Sequence, residues 1–281
     1  MAQALKDTSV AEIERRLDEL RAGEGALQRT SVLTHMAWVP ARWEQAADRV
    51  LEGMGGRIPS RTILLHPDPG AGADRLDAEV SQECFDLPDH EVAAELVRIW
   101  LRGSTARAPA SVVEPLQIPD LPVFLRWRGK PAFASGEFAQ LAGVTDRLIV
   151  DSGEWRGPLR PAYEQLGRWF DRVVVSDLAW SRGLGHRAGL AELWPEIRQA
   201  RTLEVRGPRA DAALLHGWLQ ARLKRPIGLR RSEARSLSRV AVDGTPVRVP
   251  RRLVRSASDQ LSDQLEVYTR DPVYEAAVRA V

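Results

Sequence analysis

Short apolar runs recur along the chain and predict a series of buried strands. Residues 32–39 are nearly all apolar and include β-branched side chains, which is typical of a strand inside a sheet. Residues 76–84 alternate between apolar and polar positions, so they predict a strand with one buried face. Strands are also predicted for residues 61–65, 123–125, 147–150, 173–175 and 202–205.

Helical patterns separate these runs. Ser9 and Glu12 have the spacing of a capping box, and apolar residues then recur at helical intervals up to Leu20. Pro40 predicts the start of the next helix. Residues 91–102 fit a helix and a strand equally well, so periodicity leaves that segment open. Further helices are predicted near residue 111 and over residues 133–141, 163–170, 190–199, 210–223 and 274–281, with a hairpin around Asp243 and Gly244.

This alternation of strands and helices predicts an α/β fold of two units. The first is an N-terminal mixed sheet with flanking helices, and the second is a smaller C-terminal α/β unit. Gly157, Pro158 and Pro161 interrupt the pattern between them, because glycine and proline favour turns. We therefore predict an N-terminal helical arm over residues 1–28, a first domain over 29–158 and a second domain over 159–281.

The composition limits the classes of protein to which the chain can belong. It has 281 residues, of which 44% are apolar and 28% charged, as in ordinary globular proteins. The net charge of +2 gives no global field that would indicate nucleic acid. Cys84 is the only cysteine, which excludes an intrachain disulfide and a zinc site of several thiolates. Without a signal-peptide core or a long apolar run, we expect a cytoplasmic protein with no membrane or nucleic-acid partner.

Residues suited to catalysis or to holding a cofactor are scattered rather than clustered. The five histidines lie far apart in the sequence, so they suggest no metal site. Gly183, Gly185 and Gly189 lack the directly preceding strand that a dinucleotide-binding turn needs. Ser152 has no base near it in the sequence, and Asp151 fits a turn cap as well as a carboxylate pair. We therefore predict no enzyme activity, no metal and no cofactor.

The most distinctive segment is a rigid turn that leads into a strand. Pro119 and Pro122 stiffen the backbone around Asp120, and the strand that follows ends at Trp127. Such a turn carries no nucleophile or phosphate loop, so it suggests a shaped surface for a partner. The tryptophans at 127, 155 and 180 each end an apolar segment next to charge, which fits either packing at the edge of a core or an anchor in an interface.

Positive charge is concentrated in residues 222–255. This stretch contains eleven Arg or Lys residues and two acidic residues. The arginines are not interleaved with aromatic residues, so nothing here indicates stacking on nucleic-acid bases. The stretch fits either a solvated surface or a patch that meets an acidic protein or a phosphorylated ligand. Arg230, Arg231 and Arg235 are our candidate anion-binding residues.

Several of these motifs resemble the glucose-6-phosphate dehydrogenase assembly protein (OpcA) family. The most specific are the Pro-Asp-Leu-Pro turn with Trp127, and RLIVDSGEW at residues 147–155. The chain departs from the family pattern at Ile58, where members often have His, and it lacks the C-terminal cysteines of longer cyanobacterial members. Weaker similarity in the family's order covers RTSVLTHMAWV at 29–39, PSRTI at 59–63, LDAE at 76–79, DLAW at 177–180 and GWL at 217–219.

The resemblance implies a non-catalytic regulatory protein that binds glucose-6-phosphate dehydrogenase and promotes its active oligomer, thereby controlling the oxidative pentose phosphate pathway. It also favours a strand over residues 91–102. The alternative is an enzyme or metabolite sensor that binds a sugar phosphate, with Arg126, Arg128 and the basic stretch as anion ligands. The sequence gives no prediction of the oligomeric state. The predicted partner-binding residues are Pro119, Asp120, Pro122, Trp127, Asp151, Ser152, Trp155, Asp177 and Trp180.

Overall fold

The protein forms two compact α/β units in a computed structural model. The first unit comprises Met1–Ile149 and Ala257–Tyr268, and the second comprises Val150–Ser256 and Thr269–Val281. The predicted α/β class with a larger and a smaller sheet is confirmed. The domain ranges 1–28, 29–158 and 159–281 stay a prediction. The structure describes residues 2–23, 31–52, 54, 58–87, 90–249 and 255–281.

The strands and helices of the described residues follow one another in the alternation that the sequence predicts. The strands are β1 (Gln3–Leu5), β2 (Leu33–Trp38), β3 (Ser60–Asp68), β4 (Arg75–Leu87), β5 (His90–Arg102), β6 (Val123–Trp127), β7 (Arg147–Val150), β8 (Val174–Asp177), β9 (Thr202–Arg206), β10 (Gly228–Ser232), β11 (Arg239–Val242) and β12 (Thr245–Pro246). The helices are α1 (Val10–Gly23), α2 (Glu44–Glu52), α3 (Pro109–Val113), α4 (Gly136–Gly143), α5 (Leu159–Gly167), α6 (Leu178–Arg182), α7 (Leu184–Ala191), α8 (Arg209–Leu223), α9 (Ala257–Leu265) and α10 (Pro272–Arg279).

The sheet of the first unit is parallel in its centre and antiparallel at one edge. Its strands are hydrogen-bonded in the order β1-β4-β5-β3-β2-β6-β7. The five strands from β5 to β7 run parallel, whereas β4 is antiparallel to β5 and β1 is antiparallel to β4. All six residues of β2 are buried, as expected for a parallel strand with neighbours on both sides. The strand predicted for residues 91–102 is confirmed by β5.

Each face of this sheet carries an apolar layer covered by helices. On the first face, Val97, Ile63 and Met36 lie side by side across β5, β3 and β2, and all three are fully buried. Ile13 and Leu17 of α1 belong to the same buried core. On the second face, α2 packs through Ala47 against Ala37, Val39 and Leu64. Burial of the apolar stripe of each helix is what holds it to the sheet.

The second unit has a four-stranded sheet in the order β10-β9-β11-β12. Helix α8 buries Leu214, Leu215 and Trp218. At Gly217 the helix passes so close to the Ala277 carbonyl of α10 that a Cβ would collide with it. Glycine is therefore required at this helix contact. The predicted hairpin around Asp243 is confirmed by β11 and β12.

Two sequence predictions of helices need correction, and one strand is missing from the predictions. The helix predicted over residues 190–199 is wrong: α7 ends at Ala191, and only a 3-10 turn, Glu196–Gln199, follows Pro195, whose ring cannot continue a helix. Helix α4 starts later than predicted, because the Ser135 side chain accepts a hydrogen bond from the Phe138 N–H and caps it. Strand β10 was not predicted, because all five of its residues are exposed and give no apolar pattern.

Trp127 connects two strands and a helix in the core of the first unit. Its ring stacks on Trp38 with centroids 5.0 Å apart and meets Phe138 edge to face at 5.1 Å. Only 4% of the residue is exposed. We expect Trp127→Ala to lower the free energy of unfolding by about 3–5 kcal/mol, because it leaves a cavity. Trp127→Phe, which keeps an aromatic ring, should lower it by less, as measured by denaturant unfolding. Equal losses for both variants would contradict the stacking argument.

Candidate functional site

The Pro-Asp-Leu-Pro turn is held in place by hydrogen bonds from the backbone N–H groups on either side of it to side chains of the first unit. Before it, the Ile118 N–H donates to Thr34 Oγ1 of β2 at 3.2 Å. After it, the Val123 N–H donates to Asp146 Oδ2 at 2.8 Å. Asp120 has a positive φ of 62°, a conformation that aspartate tolerates better than most residues. Pro119 and Asp120 are exposed, and the turn is therefore a fixed, accessible surface.

Pro119 also lines a pocket of about 480 Å³ within the first unit. One wall of this pocket is α1, which contributes a single stripe at helical spacing: Glu14, Leu17, Asp18 and Arg21. The segment that leads into the turn and the neighbouring strands form the rest of the wall. The remaining lining residues are Ser31, Arg61, Gln82, Glu95, Pro115, Gln117 and Ile118.

A row of three polar side chains crosses the sheet at this pocket. Glu95 of β5 is paired directly with Gln82 on one side and Arg61 on the other, so all three lie on the first face. Arg61 Nε donates to Glu95 Oε2 at 2.6 Å, and Arg21 Nε donates to Oε1 at 2.7 Å. Arg61 Nη1 donates to the Leu116 carbonyl at 2.7 Å. Arg61 Nη2 and Gln82 Oε1 are buried and have no hydrogen-bond partner among the described residues.

The structure brings the predicted residues Asp151, Ser152 and Asp177 together inside the second unit. The Asp177 carboxylate accepts hydrogen bonds from the Ser152 N–H at 3.0 Å and from the Ala179 N–H at 2.9 Å. The Ser152 hydroxyl accepts a hydrogen bond from the Tyr163 hydroxyl at 2.8 Å. Burial, and then the charge of Asp151, raise the pKa of Asp177 to about 6.

Arg182 neutralises part of this acidic cluster. Its guanidinium binds both oxygens of Asp151, at 2.8 and 2.9 Å, and its Nε donates to Asp211 Oδ1 at 3.3 Å. Bidentate pairs of arginine and carboxylate are among the strong hydrogen-bonded pairs of proteins. Asp211 Oδ2 is buried and finds no hydrogen-bond partner within the part of the chain that the structure describes. Sequence analysis does not identify Arg182 or Asp211 as site residues. The one signal in the sequence is Asp211, a charged residue among the apolar residues of helix α8, where it is buried.

The predicted tryptophans of the second unit are also buried in polar surroundings. Trp180 Nε1 donates to Asp271 Oδ2 at 2.7 Å, and the Arg187 guanidinium lies 3.3 Å from the centre of the Trp180 ring. Burial lowers the pKa of Arg187 to about 10, although Asp271 opposes this. Trp155 packs on Tyr163 with centroids 5.3 Å apart. These side chains position one another, and their predicted role as direct partner contacts stays a prediction.

The candidate anion-binding arginines lie on the surface of the second unit. Arg230 and Arg231 are neighbours in the exposed edge strand β10, so their side chains point to opposite faces of the sheet. Arg230 lies 3.6 Å from Glu204, and Arg231 donates to the Gly207 carbonyl at 3.1 Å. Arg235 is exposed. The arginines of the basic stretch therefore do not form one continuous face, and residues 250–254 lie outside the described residues.

The arginines of the alternative sugar-phosphate site are engaged within the first unit. Arg126 is 2% exposed and donates to the carbonyl of Trp127. The guanidinium of Arg128 lies 4.8 Å from the centre of the Trp43 ring. In the described part of the chain, no group of three or more His, Cys, Asp or Glu residues is arranged to hold a metal ion. No helix among these residues is long and apolar enough to cross a membrane.

The raised pKa of Asp177 gives a prediction for stability. Between pH 3.8 and about 6 the folded protein binds a proton at Asp177 that the unfolded chain does not, so this group's contribution to stability falls as pH rises through that window. Asp177→Asn should remove this fall and raise the free energy of unfolding at pH 7, by on the order of 3 kcal/mol at most. Urea unfolding from pH 4 to 7 measures both effects. The exposed Asp171→Asn is the control, and an unchanged pH profile in Asp177→Asn would refute the assignment.

Comparison with known proteins shows which family the chain resembles. Residues 53–166 match the family model OpcA_G6PD_assem, described as the glucose-6-phosphate dehydrogenase subunit N-terminal domain. A "Putative OxPP cycle protein OpcA" of Synechocystis sp. is 26% identical over 180 residues, covering 59% of this chain and 37% of that protein. A protein of the same name from Nostoc punctiforme is 27% identical over 188 residues, 63% of this chain and 40% of that protein. The alignments thus span well under half the length of these relatives. They confirm the resemblance to the glucose-6-phosphate dehydrogenase assembly protein (OpcA) family that the sequence motifs predict.

Proposed function

We propose that this chain is a cytoplasmic regulatory protein that binds glucose-6-phosphate dehydrogenase, promotes its active oligomer and catalyses no reaction itself. The observation that carries the proposal is the match of residues 53–166 to a family model whose description names that dehydrogenase. The matched segment contains both the Pro-Asp-Leu-Pro turn and the whole polar row beside the pocket. Control of the oligomer would in turn control entry into the oxidative pentose phosphate pathway.

Activation of this kind needs no chemistry from the activator. A protein that binds the assembled dehydrogenase more tightly than its separate subunits shifts the assembly equilibrium by mass action. The shift is limited by the difference between the two affinities, so equal binding to both states would change nothing. Its effect is largest where the dehydrogenase is dilute, because there the separate subunits predominate.

The turn at Pro119 and Asp120 is our proposed contact with the dehydrogenase. It is exposed, and its backbone is fixed on both sides by hydrogen bonds to Thr34 and Asp146. A surface that is already ordered loses little conformational entropy on binding. Among the other predicted partner-binding residues of the first unit, Trp127 acts from behind this surface, because it fixes the strand that follows Pro122.

The dependence on dilution tests the proposed function. With this protein present, the activity per dehydrogenase subunit should stay high as the enzyme is diluted, whereas without it the activity should fall as the oligomer dissociates. The measurement is initial rate across a dilution series, with an inert protein at equal mass concentration as the control. Identical dilution curves with and without this protein would rule out the mechanism.

The exposed arginines of the second unit offer a test of electrostatic steering. Reversing Arg230, Arg231 and Arg235 to Glu should slow association with an acidic dehydrogenase surface at low salt, and leave the melting temperature nearly unchanged because all three are exposed. The difference should shrink as salt rises, since exposed charges are screened beyond about 8 Å at physiological ionic strength.

A matched control separates a local patch from net charge. Arg156, Arg160 and Arg168 are exposed in the same unit, and their reversal to Glu changes the charge by the same amount. Association rates are measured by stopped-flow mixing at low and high salt. If both triple variants associate at the same rate as each other, the stretch 222–255 has no special role and is a solvated surface.

A further inference from the structure

We propose that the pocket between α1 and the polar row of the first unit receives an extended, basic segment of the dehydrogenase. This inference rests on the proposed function and adds to it the site of contact and the chemistry of what is bound. Three properties of the pocket lead to it: its charge, its unpaired polar atoms and its position beside the exposed turn.

The charges that line the pocket favour a basic occupant. Glu95 is shared by the two arginines of the lining, and Arg21 also binds Asp18 at 3.0 Å. Glu14 forms no ion pair with a described residue, so the lining has three carboxylates for two guanidinium groups. A phosphate would therefore meet net negative charge, whereas a lysine or arginine side chain would be attracted to it.

The unpaired atoms favour a peptide backbone. Arg61 is 95% buried, yet in the described part of the chain its Nη2 has no acceptor and the buried Gln82 Oε1 has no donor. The backbone of an extended segment can supply a carbonyl that accepts from Arg61 Nη2 and an N–H that donates to Gln82 Oε1. The two residues lie on strands separated only by β5, so their backbones are roughly 10 Å apart, about the length of three extended residues. Buried polar groups left unpaired are costly, so pairing them contributes to binding.

The size and position of the pocket agree with this occupant. A volume of about 480 Å³ is within the range of ordinary ligand sites, and it accommodates a short stretch of chain rather than a whole element. Leu17, Ile118 and Pro119 supply apolar contact around the polar atoms. Since Pro119 belongs to the exposed turn, a segment that enters the pocket would also lie along our proposed contact surface.

Charge reversal on α1 tests the proposal. The variant Glu14→Lys with Asp18→Lys reverses the two carboxylates that line the pocket. The control, Glu12→Lys with Glu19→Lys, makes the same charge change on the same helix at positions that do not line it. We expect the first variant to bind the dehydrogenase about tenfold or more weakly at low salt, and the control to bind within about threefold of wild type. Affinity is measured by titration of labelled dehydrogenase, and the melting temperature of each variant is recorded.

Filling the pocket is the second test, and it does not depend on charge. Ile118→Trp places a larger side chain in the pocket and should weaken binding by a similar factor while the net charge is unchanged. If the wild type fails to bind the dehydrogenase, the proposed function itself is wrong. If the wild type binds, and either the pocket variants bind equally well or the control weakens as much as they do, the pocket is not the contact, although the proposed function stands.

Discussion

The carboxylate of Glu95 connects the sheet, helix α1 and the segment before the turn in the first unit. It lies in β5, near the centre of the sheet, and binds Arg61 of β3 and Arg21 of α1. Arg61 in turn donates to the carbonyl of Leu116, in the segment that leads to the Pro-Asp-Leu-Pro turn. Two strands, a helix and the turn are thus joined through one buried ion pair and its neighbours. Loss of either partner would leave a buried charge without compensation, which costs several kcal/mol.

Each unit contains a buried titratable group, and the two groups change the free energy of unfolding in opposite directions as the pH falls. In the first unit, burial and then Arg126 lower the pKa of His35 to about 4. Below its ordinary value of 6.5 the unfolded chain takes up a proton that the folded one does not, so the first unit loses stability as pH falls. In the second unit Asp177 has the reverse effect over pH 3.8 to about 6. Between pH 4 and 6 these two contributions have opposite signs, so they partly cancel in the stability of the whole chain.

The spacing of apolar residues predicts the strands and helices that have an apolar side. It does not predict elements or contacts that depend on residues far apart in the sequence. The strands β2, β3 and β6 contain short apolar runs. A run this short, with glycine or proline near its ends, favours a buried strand over a helix. Strand β10 has no apolar side to reveal it. The polar row could not be predicted either, because Arg61 and Glu95 are 34 residues apart and their meeting depends on strand order and register. The Asp177–Ser152 contact depends in the same way on separate turns coming together.

Most described residues of the motifs that resemble the family are buried. The Pro-Asp-Leu-Pro turn shows how buried residues can still serve binding, because they fix the shape of the exposed residues. Two features position Pro119 and Asp120: the stack of Trp127 on Trp38, which fixes β6 beside β2, and the hydrogen bond from Ile118 to Thr34. Without this support the exposed turn would have more conformational freedom. Binding would then cost more conformational entropy and would be weaker. The specific surface is therefore small, and the buried side chains behind it in the first unit determine its shape. A recognition motif in such a protein has to include core residues, because they fix the geometry that a partner meets.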